Sequence, residues 1–171
     1  MSVMLQYQIS PISPNHHLFS VTLTFDSAAQ QCYTLSLPAW LPGSYMIRDF
    51  TKNILEIKAF DSNDNVLELG QVDKQTWTVI ANDSQVKISY QVFAFDLSVR
   101  TAYLDSQRGF FNGSSTFLEV RELANSPCQL EIQASLLPEH SEWLLCYYVG
   151  HPFVLLCWTP IRKIAGIVLL K

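Results

Sequence analysis

The stretch Val86-Lys87-Ile88-Ser89-Tyr90-Gln91-Val92-Phe93-Ala94-Phe95 alternates apolar and polar side chains over its first seven residues. Because successive side chains of an extended strand point to opposite faces of a sheet, one face of this stretch would be apolar. The residues on that face are Val86, Ile88, Tyr90 and Val92. The pattern predicts a long β-strand that buries one face in a hydrophobic core.

Similar patterns on both sides predict further strands at residues 3–10, 18–25, 32–37, 54–60, 66–69, 76–80, 97–104, 116–120 and 130–134. Pro11 is predicted to end the first strand, and strands 18–25 and 32–37 are predicted to form a hairpin. Turn signals separate the strands about every 8–12 residues, without a convincing helical period between them. The sequence therefore predicts an all-β fold, an antiparallel β-sandwich or a related two-sheet domain.

Composition narrows the classes of function. The chain has 171 residues, of which 49% are apolar and 15% charged, so we expect one folded domain rather than a disordered chain. The formal charge of -4, with no run of Lys or Arg, argues against nucleic acid and against anionic membranes as partners. The N-terminus carries neither a basic leader nor a long apolar stretch, and the four cysteines show no Cys-x-x-Cys spacing. We therefore expect a cytoplasmic location and reduced thiols.

The segment at residues 37–50, Leu-Pro-Ala-Trp-Leu-Pro-Gly-Ser-Tyr-Met-Ile-Arg-Asp-Phe, interrupts the alternation. Two prolines remove backbone donors, and Pro42-Gly43 is typical of the centre of a type II turn. The predicted loop is unusual in its large and charged side chains, which are Trp40, Tyr45, Arg48, Asp49 and Phe50. Either these aromatic residues face a partner, or they only cap the core.

Two later stretches also carry more than strand-forming residues. Residues 95–105 distribute Asp96, Arg100 and Asp105 among apolar positions, and Arg100 has the geometry to pair with a carboxylate of the protein or of a ligand. Residues 109–115, Gly-Phe-Phe-Asn-Gly-Ser-Ser, predict a glycine-flanked turn that exposes the Asn112 amide beside two aromatic rings. Close turns are predicted at 108–109 and 112–113. Such a turn either reads a small polar ligand or only connects two strands.

The segment at residues 144–171 lacks the polar alternation of the preceding part. Its apolar runs are interrupted at residues 151–152, at Pro160 and at residues 162–163, whereas a membrane helix needs about 20 uninterrupted apolar residues. We therefore divide the chain into a β-domain, residues 1–143, and an atypical apolar tail, residues 144–171. Three interpretations of the tail stay open: a buried or oligomer-forming element, a membrane helix, or a non-native tail produced by truncation or a shifted reading frame.

Complete catalytic motifs are missing from the sequence. It contains no His-Glu-x-x-His, no Gly-x-Ser-x-Gly and no phosphate-binding glycine loop. His16 and His17 are adjacent, and neighbouring side chains of an extended chain point apart, so they are poor ligands for one metal. The sequence predicts no catalytic residue, no metal ligand and no cofactor site within this chain.

The three unusual stretches together carry a family resemblance. In order and spacing, these stretches resemble the N-terminal domain of the glycyl aminopeptidase family; they are residues 37–50, 96–105 and 109–115. The members of that family are PDZ-containing zinc metallopeptidases of the gluzincin type. The resemblance covers residues 1–143. It implies an all-β domain that precedes a thermolysin-like catalytic domain and a PDZ domain. It also implies a zinc aminopeptidase that releases small N-terminal residues.

The resemblance implies a supporting role for this chain. In the family, the zinc ligands and the catalytic glutamate lie on a His-Glu-x-x-His helix of the following domain, so no catalytic residue transfers and we expect a truncated product that is inactive alone. The β-domain would pack on the catalytic domain and meet the peptide substrate indirectly, at the rim of the cleft. The residues that would do so are Trp40, Pro42, Gly43, Ser44, Tyr45, Arg48, Asp49, Arg100, Tyr103, Asp105, Phe111, Asn112 and Gly113.

One hypothesis concerns Asn112, and three others concern the role of the whole chain. By analogy with related aminopeptidases, a polar group near Asn112 would help to hold the free amine of the substrate. A docked β-domain would leave an apolar patch bare around Trp40, Tyr45 and Phe111, whereas a free-standing module that binds a peptide or a sugar would need a concave pocket there. A membrane-tethered accessory protein would depend on the tail alone.

Overall fold

The computed structural model describes residues 3–41 and 44–133, together with the backbone of residues 142–146 and 167–170. The strands are β1 (Leu5–Ser13), β2 (Leu18–Asp26), β3 (Cys32–Ser36), β4 (Ile54–Asp61), β5 (Val66–Leu67), β6 (Leu69–Asp73), β7 (Thr76–Ile80), β8 (Gln85–Phe93), β9 (Ala102–Leu104), β10 (Arg108–Asn112), β11 (Glu119–Val120), β12 (Cys128–Ile132), β13 (Glu142–Cys146) and β14 (Ile167–Leu170). One helical turn, α1 (Gly113–Thr116), and 3₁₀ turns at Pro14–His16, Phe50–Asn53 and Arg121–Leu123 connect them.

The strands form three sheets. The largest has the order β14-β12-β1-β2-β8-β4-β5, a second has the order β11-β3-β7-β6, and the third has the order β13-β10-β9. Neighbouring strands run antiparallel except for β1 with β12 and β10 with β13, which are parallel. The prediction of a mainly antiparallel all-β fold is confirmed.

The core lies between the two larger sheets. In β8 the predicted inward face is buried, since Val86, Ile88, Tyr90 and Val92 are each at most 1% exposed. The alternation of β2 has the same effect, with every second residue buried. Phe25 of β2 contacts Tyr33 of β3, with ring centroids 5.0 Å apart, so the largest sheet and the four-stranded sheet share one core.

The predicted hairpin between residues 18–25 and 32–37 is wrong. Strand β2 is paired on both edges, by β1 and β8, so it has no free edge for β3. Strand β3 joins the other sheet instead, between β11 and β7. The connection is fixed by backbone hydrogen bonds from Ser27 N–H to the Ser84 carbonyl, 2.8 Å, and from Gln30 N–H to the Ala81 carbonyl, 2.7 Å. A short polar link between two alternating strands therefore crosses from one sheet to the next.

The prediction that Pro11 ends the first strand is also wrong, because β1 continues to Ser13. The Ile9 carbonyl accepts a hydrogen bond from Gln133 N–H, so the backbone groups of Ile9 face β12. Pro11, two residues later, faces the same side, but β12 has already ended at Ile132. The N–H that proline lacks would therefore lie past Ile132, the last residue of β12, and the strand tolerates proline there.

Two short segments at the C-terminal end also take part in sheets. Strand β13 pairs with β10 and spans the domain boundary predicted at residue 143, and β14 pairs with β12. Residues 147–166 lie outside the described residues, so the interpretations of the tail stay predictions. Among the described residues, no helix combines the length and apolar content needed to cross a membrane.

Candidate functional site

The segment at residues 37–50 is a loop with a closed base. Arg48 N–H donates to the Ala39 carbonyl at 2.6 Å, and this hydrogen bond joins the two ends of the loop. Ser44 N–H donates to the Leu41 carbonyl at 3.0 Å, which is the hydrogen bond of a four-residue turn. Pro42 and Gly43, predicted at the centre of that turn, lie outside the described residues.

The loop divides its large side chains between core and solvent. Leu41 and Phe50 are buried, so they fasten the loop to the domain. Four others form what we call the apolar patch: Trp40 is 50% exposed, Met46 64%, Ile47 75%, and Tyr45 fully. The Trp40 indole N–H donates to the Ser44 carbonyl at 2.8 Å, which holds the ring over the loop. Leu41 and Phe50 therefore cap the core, whereas contact of the four exposed side chains with a partner stays a prediction.

The three unusual stretches of the sequence come together around α1. The helical turn contacts the 3₁₀ turn Phe50–Asn53, which directly follows the loop. On another side, Asn112 Nδ2 donates to the Val99 carbonyl at 3.1 Å, and Asn112 N–H donates to the Thr101 carbonyl at 2.9 Å. Residues 37–50, 96–105 and 109–115 thus share one end of the domain.

Asn112 is not exposed as predicted, since it is 4% exposed. Its Oδ1 accepts a hydrogen bond from Ser114 N–H at 3.0 Å, so it caps α1, and the close turn predicted at 112–113 is replaced by this helical turn. Its Nδ2 is occupied by the Val99 carbonyl. Contact between this amide and a substrate amine stays a prediction, and the acceptor for the amine would be Oδ1, which already accepts from Ser114 N–H.

The substitution Asn112→Ala is expected to lower the free energy of unfolding by about 1 kcal/mol, because it removes the cap of α1. Asn112→Ser is the matched control, since its neutral hydroxyl is also a helix cap but is too short to replace the donor to Val99. Urea denaturation of the three proteins measures the difference. Equal loss in both variants would show that the bond to Val99, rather than the cap, carries the effect.

Phe111 also lies away from the surface. It is 1% exposed, and its ring packs against Phe19 and Phe117 at centroid distances of 5.8 and 5.6 Å. Phe111 is therefore not part of the apolar patch.

The predicted turn at 108–109 is wrong, because β10 already begins at Arg108. The chain reverses earlier, where Asp105 Oδ1 accepts the N–H groups of Gln107 and Arg108, both at 2.8 Å.

The segment at residues 97–104 is extended only at its end, where β9 begins at Ala102. Before it, Thr101 N–H donates to the Ser98 carbonyl at 3.0 Å and forms a turn, on which Arg100 is half-buried. Asp105 follows β9 and pairs with Arg108, with Oδ2 3.5 Å from Nε. Partial burial opposes ionisation, but the N–H donors of Gln107 and Arg108 lower the pKa of the Asp105 carboxyl overall.

Sequence reasoning missed a stack of aromatic rings beside this turn. His17 lies 4.0 Å from Phe95, Phe95 lies 5.6 Å from Tyr103, and Tyr103 lies 6.3 Å from Phe110, as distances between ring centroids. The Arg108 guanidinium lies 5.6 Å from the Tyr103 ring centroid. A signal was present, because Phe95 falls on the solvent side of the alternation that places Val92 inside.

Two buried tyrosines of the largest sheet hold the segment that follows α1. The Tyr90 hydroxyl donates to the Thr116 carbonyl at 2.9 Å and accepts from Leu118 N–H at 3.1 Å. The Tyr7 hydroxyl donates to the Leu118 carbonyl at 2.9 Å. Burial raises the pKa of the Tyr90 hydroxyl, in agreement with its place in the core. These bonds fix α1, and the stretches around it, relative to the core.

Metal ligands do not cluster in the part of the chain that the structure describes. No three side chains among its His, Cys, Asp and Glu residues come close enough to hold a metal ion. Arg48 is half-buried and Asp49 is exposed, and within the described residues these two neighbours form no ion pair. Around α1 the described residues therefore do not supply a set of metal ligands.

Several known proteins are similar to this chain. The crystal structure of an aminopeptidase N family protein from Idiomarina loihiensis is similar, with a TM-score of 0.71 and 43% identity over 77% of this chain and 22% of that chain. An M1 zinc metallopeptidase from Deinococcus radiodurans is more distant, with a TM-score of 0.41 and 11% identity over 77% of this chain and 32% of that chain. None of the curated proteins compared with the chain matches it. Residues 6–145 match the model of the Peptidase M61 N-terminal domain, and the chain belongs to that family.

Proposed function

We propose that this chain is the non-catalytic N-terminal β-domain of a zinc metallo-aminopeptidase of the glycyl aminopeptidase type. The domain packs on the catalytic domain and shapes one rim of the substrate cleft. The complete enzyme releases small N-terminal residues, carries a PDZ domain, and binds zinc on its catalytic domain.

The apolar patch is the observation that carries the proposal. Exposure of four large apolar side chains of one short loop to water is unfavourable in free energy. Exposed apolar surface of this kind marks sites of contact with protein. Leu41 and Phe50 anchor the loop from below, so the patch is held outward rather than free to collapse onto the core. Such a fixed apolar surface is suited to permanent contact with another domain.

The length of the Idiomarina loihiensis protein indicates which polypeptide covers the apolar patch. This chain spans 22% of the Idiomarina loihiensis protein, so most of that polypeptide lies outside the matched segment. A peptidase with a separate N-terminal domain also contains a catalytic domain, and we take that domain as the one that covers the patch. The patch, α1 and the turn at residues 97–101 then form one face that meets it.

A graft tests the proposal. Residues 6–145 of this chain, the part that the family model matches, replace the matching segment of the Idiomarina loihiensis protein, and a protease site follows the graft. After cleavage we expect the two pieces to stay together, and the double variant Trp40→Ser/Ile47→Ser to weaken their association at least about thirtyfold, because central aromatic and aliphatic contacts dominate interface energies. Dilution followed by size-exclusion chromatography measures the dissociation constant.

The matched control is Val66→Ser/Val72→Ser, which removes two exposed apolar side chains from β5 and β6. It is expected to leave the association unchanged. The proposal is wrong if the unmodified pieces separate as readily as those with the patch variant, or if the control weakens the association equally.

A second candidate is a free-standing β-sandwich that binds a peptide or a sugar. The stack of His17, Phe95, Tyr103 and Phe110 favours it, since flat rings provide a surface on which such ligands pack. Calorimetric titration of the isolated chain with oligosaccharides and proline-rich peptides distinguishes the two. Binding that Phe95→Ser abolishes would favour this candidate, whereas the docking proposal expects no binding.

A further inference from the structure

Arg48 lies beside the apolar patch and has no ionic partner among the residues that the structure describes. Its side chain is half-buried, and its Nε is fully buried and has no hydrogen-bond partner in the described part of the chain. The ion pairs among those residues join Lys87 to Asp64 and Arg108 to Asp105, so none involves Arg48. Its backbone, in contrast, is fully engaged, because its N–H bonds to Ala39 and its carbonyl accepts from Phe50.

An unpaired buried guanidinium N–H is unfavourable. Removing a charged donor from water costs free energy unless an acceptor replaces the water, and buried polar groups of folded proteins are therefore almost always paired. The other buried side-chain atom without a partner, among the described residues, is Thr116 Oγ1 on α1. Since α1 contacts the turn that follows Arg48, both atoms belong to the elements around the proposed docking face.

We infer that Arg48 is the ionic anchor of the docking face, and that its partner is a carboxylate on the catalytic domain that covers the apolar patch. This inference rests on the proposed function. Because Nε is enclosed within the chain, the carboxylate would meet the exposed part of the Arg48 side chain, whose charge the docked domain would otherwise cover without a counter-charge. The neighbouring Ile47 and Trp40 would exclude water from the pair once the face is covered, which strengthens the attraction.

The isolated chain provides the first test. Since Arg48 makes no ion pair with the described residues, Arg48→Met, which keeps most of the aliphatic stem, is expected not to lower the midpoint of urea denaturation. Lys52→Met is the matched control, an exposed cation on the adjacent 3₁₀ turn. A marked loss of stability in Arg48→Met alone would show that the side chain has a structural partner within this chain, and would overturn the inference.

The cleaved graft provides the second test. Arg48→Met is expected to weaken the association of the two pieces at least about thirtyfold, because it leaves a covered carboxylate unpaired. Arg48→Lys should restore part of the loss, and Lys52→Met should cause none. Association as tight as that of the unmodified graft would overturn the role of Arg48 while leaving the docking proposal intact. Dissociation of the unmodified pieces would overturn both.

Discussion

Replacement of Phe111 by alanine is expected to lower the free energy of unfolding by about 3–5 kcal/mol, the largest effect at any of the predicted site residues. The ring is fully enclosed and packs edge-on against Phe19 and Phe117. Its removal would leave a cavity between the largest sheet and the segment held by Tyr7 and Tyr90, and those bonds prevent the segment from moving in to fill it. Chemical denaturation followed by tryptophan fluorescence measures the change.

Tyr45→Ala is the matched control for Phe111→Ala. Both aromatic residues were predicted to face a partner, but Tyr45 is fully exposed, so its truncation is expected to change stability by less than about 0.5 kcal/mol. Similar losses in the two variants would contradict the assignment of Phe111 to the core and of Tyr45 to the surface.

The substitution Tyr90→Phe is expected to lower the free energy of unfolding by about 2–3 kcal/mol. It removes one hydroxyl but leaves two buried backbone groups without a partner, the Thr116 carbonyl and Leu118 N–H. Tyr7→Phe is expected to lower the free energy of unfolding less, because among the described backbone groups it leaves the Leu118 carbonyl alone without this hydrogen-bond donor. A smaller effect at Tyr90 than at Tyr7 would argue against the shared hydroxyl.

The difference between the unmodified chain and Tyr90→Phe should depend on pH. Because burial raises the pKa of Tyr90 above its ordinary value of 10.0, the hydroxyl ionises in the unfolded chain before it does so in the folded one. Its contribution to stability is therefore complete below pH 10 and declines as the pH rises further. We expect the gap between the two proteins to narrow in that alkaline range, and a gap that widens would contradict the burial of the hydroxyl.

The strands were largely predictable because half-buried strands leave a period of two in the sequence. Strand β7 has the predicted bounds, and β2 and β8 differ from prediction by one or two residues. Their partners were less predictable, since alternation fixes which face of a strand is buried but not which edge finds which neighbour. The short link after Asp26 is compatible with a hairpin, and only the pairing of β2 on both sides excludes it.

The candidate site was predictable in its stretches but not in the orientation of its residues. The three unusual segments do meet at α1. Within them, however, Phe111 and Asn112 are buried, whereas Met46 and Ile47, which received no special weight, are exposed. Aromatic and amide groups serve equally well in a core and on a surface. Hydrogen bonds from distant residues, such as those of Tyr90, decide between the two, and one sequence read along its length does not reveal them.

The parallel pairing of β1 with β12 has a consequence for synthesis on the ribosome. Leu5 faces Cys128, so the first strand made lacks one neighbour until almost the whole β-domain has been translated. At about 5–20 residues per second, translation from Leu5 to Cys128 takes about 6–25 seconds, during which β2 covers only the other edge of β1. The nascent chain therefore exposes an open strand edge for this time, and its late closure, rather than local hairpin formation, should set the pace of folding.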